Sequence, residues 1–456
     1  MVTHSGTRTV RLLNQTSVSA DGETMPLAPM TMGEVAHLYR RAGFGALPAA
    51  LAPLVGQPRD VVVGGLLDAA FPAPTYPALS PTDSDYQQLI VLRRWWLQQM
   101  ASAANPFLEK LTLFWHNLIP TSYWKVPVPT MLLTQNQTLR NNALGSMHTL
   151  IAAMAVDPAM LWYLDNYLNV ASAPNENFAR ELMELFTLGA DQGYVQKDVV
   201  EAARAWSGHS LTPGRAYTFN AAEHDNNNKT IFGITRNWDG PELIGEILTG
   251  SRAANSSLFL ARRLWNWYAG PTSDSALLSS LATTLRGVQL NTKEFLRAVF
   301  LRDEFYSAAY RNQIVRGPIE WGVCLLRATG LTAQGTQIDW ALADLGQSPF
   351  EPPSVSGWKQ NEFWITQAAV WKKATMAGTI GWSAESTQFL SSVPGSTPSV
   401  AVQAALDAFA TPSVSAATRG ALEQLLIANR DPGIGGAGQR ANLIRAIALT
   451  PEFQLS

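Results

Sequence analysis

Apolar residues recur at helical spacing along most of the chain. From Met32, Gly33-Glu34-Val35 leads into His37-Leu38-Tyr39-Arg40-Arg41 and closes at Ala42-Gly43-Phe44-Gly45, where the two glycines end a helix. Between Tyr86 and Leu118, the stretches around Leu92–Leu97 and Leu108–His116 carry the same period and are split by Asn105-Pro106, which predicts two consecutive helices. Further helices are expected over Thr138–Val156, Pro158–Tyr163, Asn175–Leu188, Lys197–Trp206, Pro241–Thr249, Ser256–Tyr268, Thr292–Leu301, Pro318–Thr329 and Gln367–Ser383. Period-two alternation is scarce. The expected fold class is therefore mainly α, a multi-helical globular body with long ordered loops and little β.

Two intervals, Gly208–Trp238 and Leu345–Trp364, exceed the roughly 12–15 residues of an ordinary connection, and loops of that length on a helical scaffold are where function concentrates. The chain divides into a polar N-terminal arm (1–30), a helical body (31–383), a Ser/Thr/Pro-rich linker (384–398) and a C-terminal helical segment (399–456) expected to pack on the body. Phe295–Phe305 is loosely echoed by Leu443–Phe453. Two similar helix ends explain this, because a solenoid needs at least about three units.

Composition changes the picture in a few places. The 456 residues exceed the roughly 250–300 that one hydrophobic core usually organises, so two lobes or a core with large appended elements are expected. Only 15% of residues are charged, against about 25% in an average domain, so burial is extensive. With 33 Lys and Arg against 35 Asp and Glu, and no basic block, nucleic acid is not an expected partner. Cys324, the single cysteine, lies in an apolar run and is expected as a small buried hydrophobe. No run reaches the ~18 apolar residues of a membrane span, and Met1–Gly22 lacks the apolar centre of a signal peptide. The chain as it stands reads as cytoplasmic, and as exported if a signal peptide has been trimmed.

The most informative chemistry lies at Asn175–Gly189. Asn175 is placed to cap the helix, Gly189 to close it, and at 100° per residue Asn177, Arg180, Glu181 and Glu184 share a stripe beside Phe178, Leu182 and Leu185. This stripe has two readings. One is a surface helix on which Arg180 pairs with Glu176 and Glu184; the other is an acid/base pair projecting into a cavity. His116 and Asn117 end an apolar helix, while His224-Asp225 and Lys229 bring an imidazole, a carboxylate and an amine into a long loop. If both face the Glu181 stripe, Glu181, Glu184, His224, Asp225 and His116 become candidate catalytic groups. Arg40 and Arg41 suit buried carboxylates or an anion, and Trp358 and Trp364 bracket a proline-rich loop that could offer a stacking platform to a sugar or peptide. Candidate binding residues are thus Arg40, Arg41, Asn117, Asn177, Arg180, Lys229, Trp358 and Trp364. There is no His-Glu-x-x-His, no cysteine pair, no glycine-rich phosphate loop and no Gly-x-Ser-x-Gly elbow, so no metal ligand set is assigned and no cofactor is named.

His37–Gly45, Leu113–Asn117, Asn175–Gly189, Tyr194–Gly208, His224–Gly233 and Phe350–Trp358, with the ending Pro451-Glu452-Phe453, resemble in order and content the bacterial family DUF1800. That resemblance covers nearly the whole chain, implies an architecture but no reaction, and implies export in many relatives. Two departures stand out: Leu118 and Ile119 follow Asn117 where the family commonly has a second histidine, and Asn227 stands where it often has glycine. The first weakens any metal site that needs two imidazoles. The second is expected to preserve the turn, because asparagine tolerates positive φ. The leading functional expectation is an enzyme of hydrolase type acting on a glycan or glycan-like polymer; the alternative is a non-catalytic binding or assembly protein whose buried polar residues form a structural network.

Overall fold

The computed structural model describes residues 27–383, 397–411, 413–428 and 436–456. Residues 1–26 of the polar arm and 384–396 of the linker lie outside the described residues. Where the arm comes into view it is already anchored: Met30 is buried, and it exchanges backbone hydrogen bonds with Gln57 and Gly56.

Helix α1 (Met32–Ala42) starts at a capping box, Thr31 with Glu34, and turns Val35, His37, Leu38 and Arg41 inward. After α2 (Arg59–Leu67) come α3 (Asp85–Ser102), capped by Ser84 and Gln87, and α4 (Phe107–Leu118), which is buried along nearly its whole length. The expected helix Thr138–Val156 is two: α5 (Pro129–Asn142) and α6 (Met147–Ala155). The break falls at Gly145-Ser146, where the backbone instead pairs with Leu290 and Thr292 of a remote segment. Next are α7 (Pro158–Tyr163), α8 (Asn177–Glu181) running directly into a π-helical turn Leu182–Thr187, and α9 (Gln196–Ala205).

The stretch expected as the irregular loop Gly208–Trp238 contains two antiparallel hairpins, β1 (His209–Leu211) with β2 (Tyr217–Phe219) and β3 (Lys229–Ile231) with β4 (Ile234–Arg236). Three-residue strands are too short to announce themselves by alternation. They remain the only sheets among the described residues. The second half holds α10 (Gly240–Leu248), α11 (Ala253–Tyr268), α12 (Ser275–Gly287), α13 (Thr292–Leu301), α14 (Pro318–Thr329), α15 (Ile338–Asp344) and α16 (Gln367–Gly381). Helices α17 (Pro398–Ala408), α18 (Ala416–Ala428) and α19 (Gly436–Leu449) follow, and α19 lies along α16 so closely that a Cβ on Gly381 would meet Ala441.

One hydrophobic cluster runs from Met30 to Phe453, with Trp96, Trp115, Trp206, Trp238, Trp265 and Trp321 fully inside. Among the described residues no helix is long and apolar enough to cross a membrane. Cys324 is buried, its thiol directed at the carbonyl of Phe44.

Candidate functional site

The candidate residues fall into four places rather than one cleft. The first is the C-terminal end of α4. His116 is buried among the rings of Trp96, Phe350 and Trp358, and its Nε2 accepts the backbone N–H of Phe350 at 3.2 Å. Burial depresses its pKa to about 3, so the ring is neutral. Asn117 Oδ1 accepts the Trp358 N–H at 2.7 Å. Phe350 itself sits at φ +67°, held in that left-handed conformation by His116 on its N–H and by the Tyr123 N–H on its carbonyl. Gly357, at φ +74°, passes so close to Asn117 that a Cβ would collide with it. Two stretches expected to carry chemistry are thus each other's packing partners. Trp358 and Trp364 are 4% and 5% exposed, so neither offers a free face at the surface; Trp364 instead lines an internal cavity.

The second place is the α9–hairpin junction. Asp198, Glu201 and Arg204, one turn apart on α9, hold the loop before and within the second hairpin: Asp198 takes the Phe232 N–H, Glu201 the Thr230 N–H, and Arg204 the Asp225 carboxylate at 2.7 Å. Against the burial that would raise it, Arg204 and Asn227 draw the Asp225 pKa down to about 2. Asn227 was expected at positive φ. It is not among the left-handed residues; it makes the turn by donating its amide N–H and side chain to Asp225 Oδ1, and the left-handed step falls at Phe232 and Gly233. Lys229 is fully buried and donates to the carbonyls of Asp225 and Trp238 and to Asn237. His224 Nδ1 lies 2.8 Å from the Ser207 carbonyl. Gly208, at φ +81°, permits this approach, since a Cβ would meet the Asn220 carbonyl and His224. His209, which sequence reasoning did not single out, is packed between Trp206 and Phe219, and burial, with His224 nearby, lowers its pKa to about 4.

The third place belongs to the arginines. Arg41 is 1% exposed and donates to the carbonyls of Tyr268 and Trp267 and to Ser456 Oγ. Burial lowers its pKa to about 9 and that of Arg40 to about 10. Neither meets the α8 stripe.

The fourth is that stripe. Arg180 turns outward to Glu176 at 2.8 Å and Gln196 at 3.0 Å, and Asn177 is exposed, its N–H capped by Asn175. Glu184 is not Arg180's partner, because the π-turn is wider than an α-turn and rotates Glu184 off the i+4 position. Glu181 and Glu184 are half-buried, and neither forms a hydrogen bond or ion pair among the described residues. Burial, then the Glu184 charge, raises the Glu181 pKa, with Arg180 opposing. Tyr163 and Tyr194 are the neighbours: Glu181 acts on the first and Glu184 on the second, and both phenols are pushed up, chiefly by burial. Neither tyrosine is marked by its sequence setting. Gly189, at φ +97°, closes the turn against Phe259 of α11.

Comparison with known proteins decides the family. The family described as DUF1800, protein of unknown function, matches residues 37–455. The chain belongs to the DUF1800 family. No curated protein and no solved structure matches it. In this DUF1800 chain the stretches shared with the family are mutual contacts: Leu113–Asn117 with Phe350–Trp358, and Tyr194–Gly208 with His224–Gly233. Among the described residues no three His, Cys, Asp or Glu side chains gather as a metal-binding group.

Proposed function

We propose that this DUF1800 protein is an enzyme of hydrolase type that works by acid/base chemistry at Glu181 and Glu184 on a glycan or glycan-like polymer. One observation carries the reading: two half-buried carboxylates three residues apart, Glu181 ending α8 and Glu184 on the π-turn, have no hydrogen bond or ion pair among the described residues. Carboxylates that spend no oxygen on the fold stay available to a ligand, and π-turns recur at functional sites. Of the two, Glu181 is suited to hold the proton, because burial and the Glu184 charge favour its neutral form. Glu184 is then the base, and an acid working beside a base is the division of labour glycoside hydrolysis uses. Support for a polymer comes from Trp124, 72% exposed, beside Lys125, whose ion pair with Asp165 ties that loop to the segment bearing Tyr163.

The second reading is a non-catalytic binding or assembly protein, and a specific observation favours it for other residues: His116, Asn117, Asp225, Lys229 and Arg41 all spend their polar atoms on the fold. Release of reducing ends from a panel of polysaccharides distinguishes the readings. Wild type should be active, and Glu181→Gln and Glu184→Gln should each lose about 10²-fold or more while keeping the wild-type melting temperature. Full activity in either variant, or no release from any polymer, overturns the catalytic reading.

A further inference from the structure

Beneath the first half of α4 and the ends of α11 and α14 lies a cavity of about 40 Å³ that the acid/base reading does not use. Its wall carries the Lys110–Glu320 ion pair (3.0 Å), Gln347, Asn266, Trp267 and Trp364, and the exposed Lys359 stands at its mouth. Space of that size holds a few water-sized groups. It is too small for a whole sugar ring.

Charge around it is lopsided. Lys110 and Arg316 are each 2% exposed and Arg41 1%, and Arg40 is half-buried behind them. Glu320 is the one carboxylate, among the described residues, that ion-pairs with any of the four, through Lys110 and Arg316 (3.8 Å). The remaining acceptors are neutral: the Arg40 carbonyl for Lys110, the carbonyls of Tyr268 and Trp267 and the Ser456 hydroxyl for Arg41, and the Phe453 carbonyl for Arg316. Three buried cations and a half-buried fourth, with one ion-paired carboxylate among them, are costly unless another anion sits nearby. Against the burial that opposes it, Lys110, Arg316 and Arg41 hold the Glu320 carboxyl below its usual range, the same field that an incoming anion would feel.

Unused polar atoms point the same way. Trp267, whose side chain lines this cavity, has a buried Nε1–H without a hydrogen-bond partner. Arg40 Nε, in the cluster behind it, is likewise without a hydrogen-bond partner, and Arg316 Nε has only its 3.8 Å ion pair with Glu320. Buried N–H groups left idle in a protein interior ordinarily have a partner, whether protein, water or ligand. Gly317 keeps the wall open, since a Cβ there would press on Gln347 and Trp364. We infer that the Lys110–Trp267–Lys359 cavity is a binding site for a compact oxyanion, a carboxylate or phosphate group, either free or borne by a larger ligand whose remainder stays outside the mouth.

The site is independent of the Glu181 pair. Phe259 of α11 packs at the π-turn and Trp267 of the same helix lines the cavity, eight residues or about 12 Å along the axis. The test is calorimetric titration at low salt with inorganic phosphate, glucuronate and neutral glucose. Phosphate or glucuronate should bind saturably and glucose should not. Lys359→Gln, a change at an exposed position, should weaken binding several-fold. Glu320→Gln, which removes the competing carboxylate, should tighten it and should make thermal stability depend on phosphate. Preference for glucuronate assigns the site to an acidic substituent, preference for phosphate to a free ion, and both uphold the inference. It is overturned if neither anion binds saturably, if glucose binds equally, or if Lys359→Gln leaves anion affinity unchanged.

Discussion

The end of α4 and the π-turn after α8 are both polar and both part of what this chain shares with its family, yet they are built in opposite ways. At His116 and Asn117 the polar atoms that face the proline-rich loop have partners, and their positions freeze that loop, including a left-handed Phe350. At Glu181 and Glu184 the carboxylates are half-buried and idle. A polar group that holds the fold is consumed by doing so, whereas one without a partner in the fold remains free to act on something else. Stability and function should therefore separate cleanly between the two regions.

The largest expected effect is acid destabilisation through the buried histidines. Burial lowers the pKa values of His37, His116 and His209 to about 2, 3 and 4, whereas in the unfolded chain they bind protons near the ordinary value of 6.5. The unfolded state thus gains protons first: stability is complete above about pH 6.5 and falls as pH drops toward those values, by about 2 kcal/mol per histidine at pH 5. Asp157 works the other way. Burial raises its pKa to about 6, so its contribution is lost as pH rises from about 4 to 6, and acidification to pH 5 returns about 1 kcal/mol. Denaturant melts at pH 7 and 5 should show the net loss, and His116→Gln, which keeps an acceptor for Phe350, should remove its share.

Next in size is Gly357→Ala. A left-handed backbone costs a non-glycine residue about 1–3 kcal/mol, and here the new methyl also strikes Asn117, so a loss at or above the top of that range is expected. Asn117→Ala should cost about 1–3 kcal/mol, because the buried Trp358 N–H loses its acceptor. Both are read from urea melts at pH 7. Glu181→Gln and Glu184→Gln should shift stability by less than about 0.5 kcal/mol, the ordinary range for positions outside a structural network. A loss as large as that of Asn117→Ala would move the π-turn into the holding class.

How much of this could be read beforehand varies by element for physical reasons. Helices α13 and α14 were legible to the residue, because Asn291 caps one, Pro318 opens the other, and Gly330 stops it. α2 was not, since Gly64 and Gly65 depress its intrinsic preference and packing on α13 stabilises it instead. α12 was missed although Asp274 caps it and Leu277, Leu281 and Leu285 repeat on its buried face; that signal was present in the sequence. The residues of the α4 clamp could be named, but the contact joining His116 to Phe350 spans 234 positions, and periodicity carries no information about such pairs. Lys110, Arg316 and Glu320 escaped for the same reason: each looks like an ordinary charge on its own helix or loop, and only the fold brings them into one buried cluster. The expected convergence of His224, Asp225 and His116 on the α8 stripe assumed that long loops face the nearest carboxylates. Here Arg204 and Ser207 claim the 224–225 loop first.

Whether Glu181 and Glu184 form an electrostatically coupled pair held in reserve, as proposed, is tested most directly by NMR titration of the carboxyl carbons in selectively labelled protein. Glu181 should titrate above the ordinary glutamate value, and Glu184→Gln should bring it back toward that value by removing the neighbouring charge, while the fold stays intact. A Glu181 carboxyl that titrates at the ordinary value, indifferent to the substitution at 184, would contradict the claim.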